Sequence, residues 1–153
     1  MTLVEYAGFE CPHCGHAYPI VKTVQRSLGD DLGFAYRHFP LVKVHPHAEH
    51  AAEIAEAAGE HGKFWPMHDM LFENQAALED EDLIAYAEAL GIDPVWAAAA
   101  LAQGLFRDKV REDFASGVRS GVNGTPTFFI NGERYDGSWD AASLLEALAV
   151  AAQ

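Results

Sequence analysis

The chain has 153 residues, half of them apolar and 22% charged, which fits one soluble globular domain and gives disorder no compositional basis. Ten Lys and Arg against 23 Asp and Glu leave a formal charge of -13, so phosphate backbones and anionic lipid surfaces are repelled and neither is an expected partner. No apolar run approaches the ~20 residues of a membrane span, no basic leader with an apolar stretch opens the chain, and two cysteines are too few for a disulfide-stapled framework.

Thr2 to Ala7 reads as a buried strand, being short, β-branched and aromatic. Pro12 opens a helix, since its fixed φ and missing N–H suit the first turn. That helix runs to about Leu28, where Gly29 closes it, and Pro19 inside it removes one backbone hydrogen bond. Gly33 to Phe39 is a second strand, stopped by Pro40. Strand, helix and strand in this order form a βαβ unit with parallel strands.

A helical section follows, over about residues 46–121. Pro46 starts its first piece, which carries Ala51, Ile54 and Ala55 to Gly59. Phe64, Met67 and Leu71 mark a second. Asp80 caps a third, with Leu83, Tyr86, Ala87 and Leu90 on one face. Asp93-Pro94 opens a fourth. Phe106, Val110, Phe114 and Val118 form an apolar stripe on a fifth, ending at Gly121. The period then returns to that of a strand at Thr127 to Ile130. Asn131-Gly132 is a two-residue hairpin turn, and Glu133 to Asp136 is the returning strand. Asp140 caps a last helix with Leu144, Leu145 and Leu148 inward. No repeat or linker appears. The reading is therefore a single α/β domain over residues 1–153, βαβ then ββα, with a multi-helix insertion.

Cys11-Pro12-His13-Cys14 lies directly after a strand and at the start of a helix. Spacing alone leaves two chemistries open, because zinc sites also use Cys-X-X-Cys. The helix N-terminus favours redox work. Its free N–H groups and partial positive charge stabilise a thiolate at Cys11 and lower its pKa. Cys14, one turn inward, is placed to attack a mixed disulfide formed at Cys11. The expectation is an exposed attacking sulfur and a shielded resolving one. His13, protonated or as a neutral N–H donor, can stabilise the Cys11 thiolate and so make the disulfide more oxidising.

With these residues the chain resembles the thioredoxin superfamily, and within it the disulfide-forming DsbA-like branch. The Cys-Pro-His-Cys sequence, the strand Leu3-Val4-Glu5-Tyr6 before it, the helical insertion and the loop Gly124-Thr125-Pro126-Thr127 carry the resemblance over nearly the whole chain. It implies a thioredoxin-like sheet of strand order 2-1-3-4, the third strand antiparallel to the first, and a thiol–disulfide oxidoreductase that oxidises protein dithiols. Cys11 matches the nucleophile, Cys14 the resolving cysteine and Pro126 the cis-proline beside them. Glu5, six positions before Cys11, matches a buried acid that relays a proton to or from Cys14. Thr125 is then free to pair with an extended substrate segment by strand addition, and Pro12 flanks the same surface. Implied partners are protein or peptide thiols and disulfides, and a redox partner that restores the Cys11–Cys14 disulfide.

The same chemistry run as a reductase or isomerase remains an alternative. A metal-binding or metal-delivery module is another, using the cysteines with nearby histidines. His45, His47 and His50 lie close together, and His47 and His50 share a helix face, but a polar helix start explains them. No nucleotide, flavin or nicotinamide motif is present, so no organic cofactor is expected. Relatives of this branch carry residues before the first strand. The compartment is accordingly cytoplasmic if Met1 is the natural start and extracytoplasmic if the chain has been trimmed.

Overall fold

The computed structural model describes residues 1–153. Strand β1 (Thr2–Ala7) is followed by helix α1 (Pro12–Leu28), strand β2 (Gly33–His38), helices α2 (Ala48–Glu60), α3 (Phe64–Phe72), α4 (Asp80–Ala89), α5 (Pro94–Gln103) and α6 (Arg107–Arg119), strands β3 (Thr127–Ile130) and β4 (Glu133–Tyr135), and helix α7 (Ala141–Ala151). The sheet order is β2-β1-β3-β4, with β1 parallel to β2 and antiparallel to β3. This is the α/β, thioredoxin-like arrangement that the sequence predicts.

The register sorts side chains onto two faces. Glu5 pairs with Tyr36 on one side and Phe128 on the other, and cross-strand partners share a face. On that face Leu3, Phe128 and Ile130 pack with Ala17, Val21 and Val24 of α1 and Leu144 and Leu148 of α7. Near the C-terminal end of β1 the core changes partners. Ala7, Phe9, Cys14 and Tyr36 join Ile54, Met67, Leu71, Leu83 and Leu101 of the insertion. Tyr6, Phe39 and Val122 form a smaller cluster on the opposite face, with Phe114 packed against it. The hairpin turn has Asn131 at φ 48° and Gly132 at φ 85°, the left-handed pair that joins strands without splaying them.

Several boundaries and faces differ from the sequence reading. Helix α2 begins at Ala48, with Pro46 in the preceding turn. Its polar start gives way to an alanine face buried at Ala51, Ala52, Ala55 and Ala58. Glu79, not Asp80, is the N-cap of α4, and the Asp82 carboxylate accepts the Glu79 N–H. Asp80 instead bonds His50 Nδ1 at 2.6 Å. Val118 is 55% exposed and off the core. Steps of four residues gain about 40° on a 3.6-residue helix, so a stripe of three such steps rotates away from its starting face. The buried positions of α6 are Val110, Asp113 and Gly117, spaced three and four apart. Asp113 is used there because its carboxylate accepts the His38 backbone N–H and the Lys109 ammonium.

Candidate active site

Cys11 is the N-cap of α1, with extended φ and ψ of -73° and 121° and Pro12 in the first turn. This geometry turns its sulfur back over the free N–H groups of the helix. Sγ accepts the Cys14 N–H at 3.4 Å and the Thr125 hydroxyl at 3.2 Å. As a thiol it donates to the Thr125 carbonyl at 3.7 Å. The Thr125–Pro126 peptide bond is cis. Thus the loop before β3 faces the first turn of α1, although the two are more than a hundred residues apart in sequence.

The two cysteines are free thiols in unequal surroundings. Cys11 is lowered to about 5 by the Cys14 side chain, then by the Thr125 hydroxyl and the backbone amides of Cys14 and His13, against opposing burial. Cys14 is pushed far above its ordinary value by burial first, and then by the hydrogen bond to Cys11 and the Glu5 and Cys11 charges. Cys11 is 5% exposed and Cys14 0%. The Cys11 sulfur is therefore more covered than the helix start alone suggests, because Thr125 lies against it.

Glu5 sits at 3% exposure on the face that α1 covers. Burial, with the Cys11 charge second, raises its carboxyl to about 8. Its Oε2 has no hydrogen-bond partner within the protein, and neither does the hydroxyl of its cross-strand neighbour Tyr36. Beside them His38 bonds Glu56 through Nε2 at 2.9 Å while its Nδ1 is unpartnered. The structure thus brings together Cys11, Cys14, Glu5, Thr125 and Pro126. Pro12 and His13 are exposed on the first turn of α1. His13 contributes its backbone amide to Cys11, and no hydrogen bond joins its ring to either sulfur.

Three contributors escape the sequence reading. Phe9 is wholly buried, stacked on Tyr36 at 5.1 Å and tilted against Phe72 at 4.9 Å, which fixes the loop entering Cys11. Gln75 reaches the same loop from the insertion. Tyr36 lines the interior behind Glu5. Phe9 is apolar and close to the cysteines, which is a usable signal. A single glutamine in a distant turn carries none.

A family model described as thioredoxin matches residues 1–149. Among curated proteins, the chain is 43% identical over 148 residues to Na(+)/H(+) antiporter NhaA 1 of Salinispora arenicola, covering 97% of this chain and 22% of that protein. It is 44% identical to Na(+)/H(+) antiporter NhaA of Herminiimonas arsenicoxydans, again over 97% of this chain and 23% of the relative. The chain thus spans about a fifth to a quarter of the length of these relatives. Among solved structures, oxidised BdbD from Bacillus subtilis superposes with a TM-score of 0.89 at 22% identity, over 98% of this chain and 86% of that one. The oxidoreductase DsbA from Xylella fastidiosa gives 0.76 at 21%, over 99% and 83%. With the family match over nearly its full length and the fold shared with these structures, the chain belongs to the thioredoxin superfamily and has the DsbA-like form of its fold.

Proposed function

We propose that this chain is a thiol–disulfide oxidoreductase that oxidises dithiols in proteins or peptides. The observation that carries the reading is the asymmetry of the cysteine pair: one sulfur held by hydrogen-bond donors as a thiolate, the other a buried neutral thiol. A stable Cys11 thiolate favours the reduced form of the pair, which makes the disulfide a stronger oxidant.

In the oxidised protein a substrate thiolate attacks Cys11 Sγ. The Cys11–Cys14 bond breaks, and a mixed disulfide forms between the substrate and Cys11. Cys14 leaves with the bonding electron pair and takes a proton, for which neutral Glu5 is the donor at pH 7. A second substrate thiolate attacks the substrate sulfur of the mixed disulfide and releases Cys11 as thiolate. Two electrons have then passed from the substrate to the cysteine pair, and a redox partner must remove them. Thr125, Pro126 and Pro12 form the substrate rim in this reading. An extended substrate segment pairs with the Thr125 backbone, so affinity comes from main chain and suits many sequences. Residues 1–153 act as one domain, a reading supported by a core cluster shared between the sheet, α1 and the insertion.

Ion transport, the activity in the names of the curated relatives, is not carried over. This chain corresponds to about a fifth of those proteins, and no helix here is long and apolar enough to cross a membrane. An oxidising role does require a compartment in which disulfides persist.

The test is substitution of each cysteine in turn. Cys11→Ser abolishes exchange with a reduced dithiol protein. Cys14→Ser accumulates mixed disulfides, visible as adducts on non-reducing gels. Normal turnover by Cys14→Ser contradicts the assigned roles. Direction is tested by the reduction potential of the pair: a value well above that of cytosolic glutathione supports the oxidant, and one near it supports a reductase.

A further inference from the structure

Gln75 lies in the turn between α3 and α4, 64 residues beyond Cys11. Its Nε2 donates to the Phe9 carbonyl at 2.8 Å and to the Cys11 carbonyl at 2.9 Å. Both partners can only accept, so the amide nitrogen must face them. The Cys11 carbonyl also accepts the Gly15 N–H at 3.0 Å. Room for the carboxamide exists because residue 15 is glycine: a Cβ there would overlap the amide, lying 2.6 Å from Gln75 Cδ. Further along α1 the same two segments are tied twice more. The Tyr18 hydroxyl donates to Glu73 at 2.8 Å, and the Lys22 ammonium to Asp69 at 2.9 Å.

We propose that Gln75 is a positioning residue for the reactive cysteine: its carboxamide, seated in the gap left by Gly15, pins the carbonyls of Phe9 and of Cys11 itself and so aims the Cys11 sulfur at its donors. The inference rests on the exchange reading given above and adds the means by which the insertion takes part. Helix capping depends on the cap residue keeping its non-helical backbone angles. Here those angles are held from outside the helix, by an amide that bridges two carbonyls of the entering loop. With Gln75 in place, the sulfur stays 3.4 Å from the Cys14 N–H and 3.2 Å from the Thr125 hydroxyl. Without it the Phe9 carbonyl loses this partner, the Cys11 carbonyl keeps only the Gly15 N–H, and the loop is free to turn the sulfur away.

The experiment follows the ultraviolet absorbance of the thiolate with pH in the reduced full chain. It uses wild type, Gln75→Met, Gln75→Ala, Gly15→Ala and the double variant Gly15→Ala/Gln75→Ala. Exchange with a reduced dithiol protein is assayed in parallel, and thermal unfolding establishes that each variant is folded. Gln75→Met keeps the bulk and removes the donor; it is expected to raise the ionisation midpoint of Cys11 by about one unit, a tenfold loss of thiolate at low pH. Gly15→Ala is expected to displace the amide and give a similar rise. Added to Gln75→Ala it should give no further rise, because one interaction cannot be lost twice. An unchanged midpoint in Gln75→Met overturns the proposal, as does full additivity of Gly15→Ala and Gln75→Ala. Absence of exchange in wild type would instead count against the oxidoreductase reading, and the titration separates the two failures.

Discussion

Thr125 meets the Cys11 sulfur in both of its protonation states. Its hydroxyl donates to the thiolate and its carbonyl accepts from the thiol. Removing the hydroxyl costs only the charged state, since the carbonyl remains. Thr125→Val is therefore expected to raise the Cys11 pKa by about one to two units, the size of one hydrogen bond to a charged group, read by the pH dependence of alkylation. Glu5 gives the second prediction at this scale. Its carboxyl holds its proton up to about pH 8, so in the proposed exchange it is the donor to departing Cys14 at neutral pH. Glu5→Gln should slow proton-coupled exchange by about a hundredfold and remove the rate change centred near pH 8 from the profile. A Glu5→Gln profile that still turns near that pH would assign the change to another group.

Phe9 and the insertion show what the elements contribute. The ring is buried between β2 and α3, against Tyr36 and Phe72, so the strand edge, the insertion and the loop into Cys11 share one contact. Phe9→Ala should cost about 3–5 kcal/mol in denaturant unfolding. The same substitution should raise the Cys11 pKa, because the loop loses its anchor; Leu144→Ala in the α1–α7 layer should cost about 2–5 kcal/mol and leave that pKa alone. Much of this architecture was legible in the sequence. Pro12, Asn131-Gly132, Asp93-Pro94 and Asp140 act through local backbone geometry, which sequence states directly. The β1–β2 and β3–β4 pairings followed from the βαβ crossover and the hairpin, and the placing of β3 beside β1 from the resemblance to the thioredoxin superfamily. What was not legible depends on distant partners. Asp113 is buried in α6 because the His38 amide and Lys109 meet it there, and no periodicity predicts a carboxylate on a core face. Gln75 matters only through two carbonyls far away in sequence. The apolar spacing of Phe106 to Val118 misled for a geometric reason, the drift of a four-residue step around the helix.

At the scale of the molecule, folding stability carries the signature of the site. Cys11 ionises in the reduced fold at about 5, against roughly 8.5 when unfolded. Its stabilisation is full above the unfolded value and is lost as pH falls toward 5. Glu5 acts oppositely. Its folded value near 8 exceeds its ordinary value of 4.5, so its share is full below that unfolded value and is lost as pH rises through 8. Across pH 5 to 8 the two offset each other. Thermal unfolding of the reduced wild type should therefore change little over that window, while reduced Glu5→Gln should gain stability as pH rises. Parallel curves for the two proteins would mean that the buried carboxyl does not act. Both the chemistry and the pH dependence rest on one sulfur at the mouth of α1 being kept ionised by the fold. The most direct measurement is the ionisation midpoint of Cys11 in the reduced wild-type protein, followed by thiolate absorbance. The expected midpoint is near 5; a midpoint between about 8 and 9, that of an unperturbed thiol, would mean that the fold does not hold the thiolate.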